Sequence, residues 1–469
     1  MVRDNPIEFI VIGAGYAGLT CAIELRRKGC EVHVIEREES LSKLGRYYQQ
    51  PHLAGTDNIP GDVIMLTANA TVVLEKWGPV IEDILATSSN PSHITIKDDK
   101  GVTLLEQPWR QDHNGHQNVW TNRGRTQKMM YEEAIRRGVK FTFGAKITKH
   151  WEDGNRAGVY VNDELITADA VIGADGVYSR TREYVTGDPD KPKRSGFAVY
   201  RSWFSLDNLL NDPLTHELAS SGKDRTMVWI GPDTHCILVI NSKVRYMSAF
   251  ITHKDTYTVE ESWNYPGTTK DMLAIIEGWD PVLTAAISKI PEEVICDYKL
   301  LWRDPVMKWV SDQGRVVLVG DAAHPHLPTS GSGAAQAIED GATLAAVVEK
   351  TRKVDLPAAL KAFERLRFER TSLTQRMGWE LRHRWHQTDW EHVKTNPDFL
   401  RLPQPDWLYG ADAEAYGAQN YDAVMAQLHE GKPFKNTNLP PGHVHQDWNI
   451  ETMRELDKQV GHERMYLVR

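Results

Sequence analysis

Three glycines near the start of the chain have the spacing of a dinucleotide site. Gly13, Gly15 and Gly18 form G-x-G-x-x-G at the end of the apolar run 7–13, and Glu36 follows the last glycine by 18 residues. In this motif the first glycine allows a turn, the second lets the backbone approach a pyrophosphate, and the third permits close helix packing. The helix N-terminus favours the phosphate charge, and the acidic residue would hold a ribose hydroxyl pair. The pattern fits NAD and FAD equally.

Two later segments repeat the pattern of an apolar strand that ends at an aspartate. Asp175 and Gly176 end the run 168–176, and Asp321 ends a second run. A loop rich in proline, serine and glycine follows Asp321 and leads into the helical pattern 333–350. Taken alone, an Asp-Gly turn fits any strand end, and an aspartate-capped helix after a strand can be purely structural.

The elements around these segments predict a nucleotide-binding domain that is discontinuous in sequence. Residues 7–36 have the pattern of a strand, a helix and a second strand. The three strand ends lie too far apart for the connections of one compact domain, so other structure must be inserted between them. Residues 196–298 contain short β-like runs separated by turn residues, which predicts an inserted antiparallel sheet.

We therefore expect an α/β fold with a discontinuous Rossmann-like domain, an inserted antiparallel-sheet substrate domain and a C-terminal helical region. The expected bounds are residues 1–75, 100–190 and 300–350 for the first, 76–99 and 191–299 for the second, and 351–469 for the third. In the C-terminal region, the run 356–387 predicts a long helix with one packed stripe, and 413–431 predicts one further helix.

Composition argues against several classes of protein. With 55 Lys plus Arg against 64 Asp plus Glu, the 469-residue chain has a formal net charge of −9, which disfavours nucleic-acid binding. The four cysteines form no CxxC pair, so neither a disulfide framework nor a zinc site is expected. No signal-peptide pattern occurs, and no window reaches the ~18 apolar residues of a membrane span. We expect a cytoplasmic protein without a transmembrane segment.

Histidines and serines indicate no other chemistry. His324 and His326 are two residues apart, and His383 and His386 lie in the long helical run, yet no H-E-x-x-H pattern or cysteine partner accompanies them. No G-x-S-x-G nucleophile pattern occurs. Neither a metal site nor a serine hydrolase is expected.

The three segments together resemble a known family. The fingerprint 9–38, the segment 169–182 (DAVIGADGVYSRTR) and the segment 320–345 (GDAAHPHLPTSGSGAAQAIEDGATLA) are similar in order and spacing to the class A flavoprotein monooxygenases, and more narrowly to their salicylate-hydroxylase-like members. The resemblance implies that the discontinuous domain is an FAD-binding domain. It also implies NADPH or NADH as a transient co-substrate, O2, and an electron-rich aromatic substrate oxygenated through a flavin hydroperoxide, in a monomer or homodimer.

The resemblance further implies a set of cofactor contacts. Asp321 would accept a hydrogen bond from a ribityl hydroxyl, and the following loop would bring small residues against the flavin ring. The helix near Gly333 would direct its N-terminal N–H groups at the pyrimidine side of a reduced flavin. Arg123 would lie against the ribityl chain. The implied cofactor-binding residues are Gly13, Gly15, Gly18, Glu36, Arg37, Arg123, Asp175, Gly176, Asp321, Pro325, Gly331, Gly333 and Ala334.

The segment 196–204 (GFAVYRSWF) matches the strand that leads into the family's substrate domain. The match implies that Arg201 faces the flavin and polarises an oxygen of the substrate or of the departing hydroperoxide. Tyr200 would hydrogen-bond the substrate. The structural alternative is an arginine on a solvated strand face, because alternate residues of a strand point to opposite sides.

Parts of the chain depart from the family pattern. Val63 and Ala68 replace an expected glycine and proline, and the Leu-His that commonly follows the motif at Arg123 is absent. The segment 40–60 is longer than the usual connection and could be a lid or a surface loop.

The sequence leaves the substrate open. A small phenolic acid would need a cationic anchor such as Arg201 or Arg225, whereas an indole or polyketide intermediate would need an apolar, aromatic pocket. Four aromatic side chains slightly favour the bulkier substrate: Trp203, Trp229, Trp263 and Tyr298. Two other classes stay compatible, namely a flavoprotein dehydrogenase or oxidase without oxygen insertion, and a flavin-binding protein without turnover.

Overall fold

The structure, a computed structural model, describes residues 6–40, 62–189, 191–255 and 265–458. Within these ranges the strands are β1 Glu8–Ile12, β2 Glu31–Ile35, β3 Val63–Leu66, β4 His93–Asp98, β5 Thr103–Pro108, β6 Asp112–His113, β7 His116–Gln117, β8 Val119–Asn122, β9 Lys140–Thr142, β10 Ile147–Glu152, β11 Ala157–Val161, β12 Glu164–Ala168, β13 Ala170–Gly173, β14 Lys193–Ser205, β15 Arg225–Gly231, β16 Thr234–Asn241, β17 Tyr246–Lys254, β18 Tyr265–Pro266, β19 Cys296–Trp302 and β20 Val316–Leu318. The α-helices are α1 Tyr16–Arg27, α2 Ala68–Leu74, α3 Val80–Thr87, α4 Arg123–Arg136, α5 Arg180–Thr186, α6 His216–Ser220, α7 Thr269–Ile275, α8 Pro281–Ser288, α9 Gly333–Glu349, α10 Leu356–His386, α11 Trp390–Thr395, α12 Asp406–Tyr409, α13 Ala413–Glu430 and α14 Ile450–Asp457.

The nucleotide-type strands meet in one five-stranded parallel sheet with the order β20-β13-β1-β2-β9. Both faces of its central strands are buried, which is why β1 and β13 are almost continuous runs of apolar residues. Parallel neighbours place their carboxyl ends at the same edge of the sheet. The three strand ends, which are far apart in sequence, therefore lie side by side, as the discontinuous Rossmann-like prediction requires.

The inserted domain is an eight-stranded mixed sheet with the order β18-β19-β14-β17-β16-β15-β4-β5. Every pairing is antiparallel except that of β15 with β4. One face packs against α7 and α8 in an apolar cluster that includes Phe204, Ile251 and Met272. The opposite face carries Val199 and Leu300 and contacts side chains of α10, such as Trp379. The predicted antiparallel sheet is therefore present, with one parallel pair.

The expected boundary at residue 100 falls inside a hairpin of the mixed sheet. The boundary at residue 100 would assign β5 to the nucleotide-binding domain, but β5 pairs with β4 along the edge of the mixed sheet. The turn between them includes Gly101, which has φ +87°. A tight hairpin keeps both strands in one sheet, so the mixed sheet includes residues up to Pro108.

The C-terminal region is built on α10, which has 31 residues and would be about 46 Å long at 1.5 Å per residue. The helices predicted over 356–387 and 413–431 are observed as α10 and α13. The structure adds α11, α12 and α14, which are too short to show a helical period in the sequence. In the described part of the chain, no helix is both long and apolar enough to cross a membrane.

Candidate active site

The fingerprint glycines lie where β1 turns into α1. Gly13 has φ +99°, and a Cβ there would lie 2.5 Å from the Ala174 carbonyl oxygen. A Cβ on Gly18 would overlap the Gly13 carbonyl oxygen, so the close packing of strand and helix requires glycine. A Cβ on Gly15 would meet no atom within 4 Å, and α1 has no side-chain cap. A phosphate group can therefore approach the backbone at Gly15.

Glu36 is buried beside this turn. Its carboxylate accepts hydrogen bonds from the backbone N–H groups of Ala14 at 2.8 Å and Glu38 at 2.9 Å. These bonds hold the carboxylate next to the glycine turn. The Arg37 side chain is 60% exposed, with its Nε 3.7 Å from a carboxylate oxygen of Glu38. The fold thus fixes Glu36 at the fingerprint and leaves Arg37 at the surface.

Asp175 and Gly176 form the turn after β13, next to Gly13. The Asp175 carboxylate accepts hydrogen bonds from the backbone N–H groups of Arg180 at 2.9 Å and Thr181 at 3.1 Å. Gly176 has φ +76°, which glycine adopts without strain. The carboxylate therefore caps the start of α5, which is the structural role that such a turn can have in any protein.

Asp321 lies in the turn that leads from β20 towards α9. Its half-buried carboxylate accepts no hydrogen bond from the described residues. Burial raises the pKa of Asp321, while the charge of Arg123 opposes that shift. The turn itself is held by Asp340, whose Oδ2 accepts the Gly320 N–H at 2.8 Å. A hydroxyl group at this turn would find a carboxylate acceptor.

The loop after Asp321 brings bare backbone to the start of α9. A Cβ on Gly331, which has φ +59°, would lie 2.5 Å from Met65 Cε. A Cβ on Gly333 would lie 3.2 Å from the Cβ of His326. The 17-residue helix α9 begins with Gly333 and Ala334 and has no side-chain cap. Its first N–H groups and its partial positive charge are therefore directed at whatever lies beyond this end.

Arg201 is a buried cation on β14. Its Nη1 donates a hydrogen bond to Asp62 Oδ2 at 2.6 Å, and its guanidinium lies 4.7 Å from the centre of the Tyr298 ring. Burial lowers the pKa of Arg201 and raises that of Asp62. Burial also raises the pKa of the neighbouring Cys296 thiol to about 11, so that thiol is protonated near neutral pH. Arg201 therefore lies in a largely enclosed polar cluster.

Arg123 connects this cluster to the cofactor motifs. Its backbone N–H donates to the Asp62 carbonyl at 2.9 Å, and its own carbonyl accepts from the Tyr16 hydroxyl at 3.0 Å. Burial would lower the pKa of Arg123, but Asp62, Tyr16 and Asp321 together raise it. Groups of the fingerprint helix (Tyr16), the third motif (Asp321) and the mixed sheet (Tyr298) therefore all act electrostatically on one guanidinium.

Tyr200 lies on the other side of the sheet from Arg201, although both side chains were expected to act on the substrate. Its ring stacks on His253, with 4.7 Å between ring centres, and packs in the apolar cluster with Ile251 and Met272. The reason is strand alternation, because neighbouring residues of β14 point to opposite faces. Arg201 and Tyr200 cannot both face the same substrate from this strand.

The aromatic side chains that favour a bulky substrate do not all lie on one face of the sheet. Trp229 is fully buried among the apolar residues under α7 and α8, and its Nε1 donates to Asp280 at 2.9 Å. Trp203 shares the face of Arg201 and stacks on Tyr246. Trp263 and the segment 41–60 lie outside the described residues. Of the two suggested anchors, Arg225 pairs with the exposed Glu217 and is not part of the Arg201 cluster.

Asp62, which pairs with Arg201, and Tyr16, whose hydroxyl donates to the Arg123 carbonyl, were not among the predicted site residues. Asp62 directly precedes β3, and Tyr16 is the variable residue after Gly15 in the fingerprint. Neither position carries a motif signal, because their proximity to Arg201 and Arg123 depends on how the two domains pack. The one hint was that Asp62 lies within the segment 61–70 (GDVIMLTANA), which is similar to a glycine-rich strand of the family.

The histidines are not arranged as metal ligands. His324 Nε2 lies 2.6 Å from Asp340 Oδ2, and His326 Nε2 lies 2.8 Å from the Thr374 hydroxyl. Among the described residues, no group of three or more His, Cys, Asp or Glu side chains could hold a metal ion. Both histidines instead support the loop around the third motif.

These features fit FAD along its whole length. Open space at Gly15 suits a pyrophosphate, the Asp321 carboxylate suits a ribityl hydroxyl, and the uncapped start of α9 suits the electron-rich end of a flavin ring. The site combines backbone N–H donors with carboxylate acceptors, which matches an extended polar cofactor better than a metal or a free anion.

Comparisons with known proteins give the family. Residues 73–356 match the model described as an FAD binding domain, and residues 11–64 match an NAD(P)-binding Rossmann-like domain. Asperlicin C monooxygenase of Petromyces alliaceus is 33% identical over 454 residues, covering 93% of this chain and 94% of that protein. The chain belongs to the class A FAD-dependent monooxygenases. As a member of this family it is an oxidoreductase with FAD as its cofactor.

Other relatives of this monooxygenase agree. The FAD-dependent monooxygenase nodY2 of Hypoxylon pulicicidum is 32% identical over 456 residues, covering 93% of this chain and 96% of its own. The crystal structure of FqzB has a TM-score of 0.82 at 32% identity and covers 94% of this chain and 98% of its own. A salicylate hydroxylase substrate complex shares the fold, with a TM-score of 0.72 at 19% identity over 89% of this chain and 98% of its own. The predicted family and fold class are confirmed.

Proposed function

We propose that this monooxygenase uses NADPH or NADH and O2 to insert one oxygen atom into an electron-rich, uncharged fused aromatic substrate, such as an indole. The observation that carries the proposal is the meeting of the Arg201 cluster with Arg123 and Asp321, which joins the substrate sheet to the cofactor motifs. An aromatic ring held against this face of the sheet would be next to the cofactor.

The cofactor contacts follow from the same geometry. The N-terminus of α1 and Gly15 would hold the pyrophosphate, Glu36 the ribose, and Asp321 with Arg123 the ribityl chain. When bound, FAD supplies the redox chemistry that couples NAD(P)H oxidation to the activation of O2. The start of α9 would stabilise negative charge on the reduced ring, because its N–H groups and dipole are already oriented there.

Arg201 would act on the oxygen being transferred. A guanidinium stays protonated even where burial lowers its pKa, so Arg201 can donate hydrogen bonds but is a poor proton donor. The hydrogen bond to Asp62 and the position over the Tyr298 ring fix the orientation of the Arg201 guanidinium. A fixed donor in an enclosed site stabilises developing negative charge on oxygen more than water does.

The charges near Arg201 favour a substrate without a carboxylate. Asp62 balances the charge of Arg201, and Glu217 balances that of Arg225, so neither suggested anchor offers an unpaired cation. In the sheet, Phe250 is directly paired with Arg201 and shares its face. A fused aromatic ring would bury apolar surface on this face, whereas a small phenolic acid would bring a third charge to an already balanced pair.

The proposal is tested by screening indolic and phenolic compounds for stimulated oxidation of NADPH and NADH under ¹⁸O₂. We expect an indolic substrate to stimulate oxidation and to gain one labelled oxygen. Products that only lose two hydrogens would indicate a dehydrogenase or oxidase and would overturn the proposal. Turnover restricted to phenolic acids would overturn the substrate class alone.

Substitution of Asp321 by alanine should weaken FAD binding. Loss of a hydrogen bond to a charged acceptor typically lowers binding affinity by about ten- to hundredfold. The measurement is flavin fluorescence quenching on titrating the flavin-free protein with FAD. Asp312→Ala is the matched control, since Asp312 is largely exposed and pairs only with Lys308 among the described residues. Equal affinity of both variants for FAD would contradict the placement of the ribityl chain.

A further inference from the structure

Helix α10 of the C-terminal region runs along the back of the loop that follows Asp321. Gln375 Nε2 donates to the Pro325 carbonyl at 2.9 Å, and the Thr329 hydroxyl donates to the Gly378 carbonyl at 2.6 Å. The Thr374 hydroxyl lies 2.8 Å from His326 Nε2. Three residues of the loop, at positions 325, 326 and 329, are therefore tied to residues 374–378 of the helix.

Gly378 sets how closely the loop approaches the helix. A Cβ on Gly378 would lie 2.8 Å from the Ser330 Cβ and 3.0 Å from the Ser330 backbone nitrogen. Gly378 is in the middle of α10, where glycine is less favourable than alanine. Its presence is explained by the contact, because any side chain here would push the loop away from the helix.

The same face of α10 also supports the start of the third motif. Arg367 Nε donates to Asp340 Oδ1 at 2.8 Å, and Asp340 Oδ2 in turn accepts the Gly320 N–H. Arg367, Thr374 and Gly378 are spaced by seven and four residues, which places them on one side of a helix. One rigid element therefore holds both the turn at Asp321 and the loop beyond it.

We infer that α10 is part of the flavin site, and that Gln375 and Gly378 are positioning residues that set the distance between the loop 325–331 and the flavin ring. This inference rests on the proposed placement of the ring against that loop. The loop offers bare backbone to the ring, so a shift of a few tenths of an ångström changes the hydrogen bonds and the packing that the ring experiences. Neither residue needs to contact substrate or cofactor.

The first test compares Gly378→Ala with the double variant Gly378→Ala plus Ser330→Gly. We expect Gly378→Ala to weaken FAD binding about two- to thirtyfold and to shift the visible absorption bands of the bound flavin. Removing the Ser330 side chain relieves part of the overlap. Gly378→Ala should therefore cause smaller changes in affinity and spectrum in the Ser330→Gly variant than in the unsubstituted protein. An unchanged affinity and spectrum in Gly378→Ala would overturn the inference.

The second test separates positioning from stability. Gln375→Met removes the hydrogen bond to Pro325 with little change in volume and should change the flavin spectrum and FAD affinity in the same direction as Gly378→Ala. Leu360→Ala is the control, because Leu360 is a fully buried α10 residue in the apolar core of the nucleotide-binding domain. It should lower the melting temperature and leave the flavin spectrum unchanged.

The outcomes distinguish this inference from the proposed function. If Leu360→Ala shifts the flavin spectrum as much as Gln375→Met does, α10 acts only through overall stability and the inference is wrong. If Asp321→Ala also fails to weaken FAD binding, the placement of the cofactor is wrong as well. Normal oxygen insertion by the unsubstituted protein would leave the proposed reaction intact in either case.

Discussion

Replacement of Arg201 by alanine is expected to lower oxygen insertion by about 10²–10³-fold while FAD stays bound. The physical reason is the loss of the buried donor that would stabilise negative charge on the transferred oxygen. FAD should be retained because the pyrophosphate, ribose and ribityl contacts are proposed to come from other elements. NADPH oxidation should continue without matching product, since reduction of the cofactor does not need this guanidinium.

The measurement is the ratio of hydroxylated product to NADPH consumed, together with the flavin content of the purified protein. Arg201→Lys keeps a charge but loses the planar fork that pairs with Asp62, so its ratio should lie between those of the alanine variant and the unsubstituted protein. Arg225→Ala, in the same sheet but paired with Glu217 at the surface, is the matched control and should behave normally. An unchanged ratio in Arg201→Ala would exclude the proposed role.

The second large effect concerns stability. Arg367 is 1% exposed and pairs with Glu339 and Asp340 of α9, and Glu339 also pairs with Arg370. Arg367→Met would leave part of this negative charge buried without its partner, which typically costs about 3–5 kcal/mol. We expect a clear fall in melting temperature, accompanied by earlier release of FAD because Asp340 holds the turn before Asp321.

The control for this variant is Arg365→Met on the same helix. Arg365 is 31% exposed and pairs with Glu369 one turn away, an ion pair of a kind worth about 0.3–0.5 kcal/mol. It also contacts Gln427 and Phe434. The melting temperature of Arg365→Met should therefore fall less than that of Arg367→Met. If Arg367→Met were no less stable than Arg365→Met, the buried network would not contribute to holding α9 against α10.

The dependence on pH has a defined sign. Burial alone would raise the pKa of Glu339 and of Asp340, but Arg370 and Arg367 lower the former to about 2, and His324 and Arg367 lower the latter to about 2. Because these pKa values lie below those of the unfolded chain, near 4, the network stabilises the fold fully above that pH. The difference in stability between the unsubstituted protein and Arg367→Met should shrink as the pH falls from about 4 towards 2. A difference that grew on acidification would contradict this assignment.

Much of the fold could be predicted because local patterns determine it. The apolar runs before Gly13, Asp175 and Asp321 predicted three strands of one domain, and the parallel sheet contains all three. The long helix was predicted within a residue or so, because its run has good helix formers and no internal proline after the first turn. The expected single packed stripe holds only for its first part, since nearly all residues from 370 to 386 are buried. The pairing of β4 with β5 across Gly101 was not predicted, because the sequence of one strand does not show which other strand it pairs with.

The site was less accessible to prediction. A motif names residues that are near one another along the chain, and so it identified the fingerprint, the turn at Asp321 and the start of α9. It could not identify Asp62, which meets Arg201 across 139 positions of sequence. It also grouped Tyr200 with Arg201, although strand alternation sends their side chains to opposite faces.

The sequence by itself determined the family, the cofactor and the residues that build the glycine turn, because these depend on backbone conformation over a few neighbouring positions. Tertiary structure alone decided which side of the sheet faces the cofactor motifs, which carboxylates balance Arg201 and Arg367, and how α10 supports the loop beyond Asp321. The physical reason is that charge balance and close packing arise between elements distant in sequence, and only the packed fold fixes the distances that decide them.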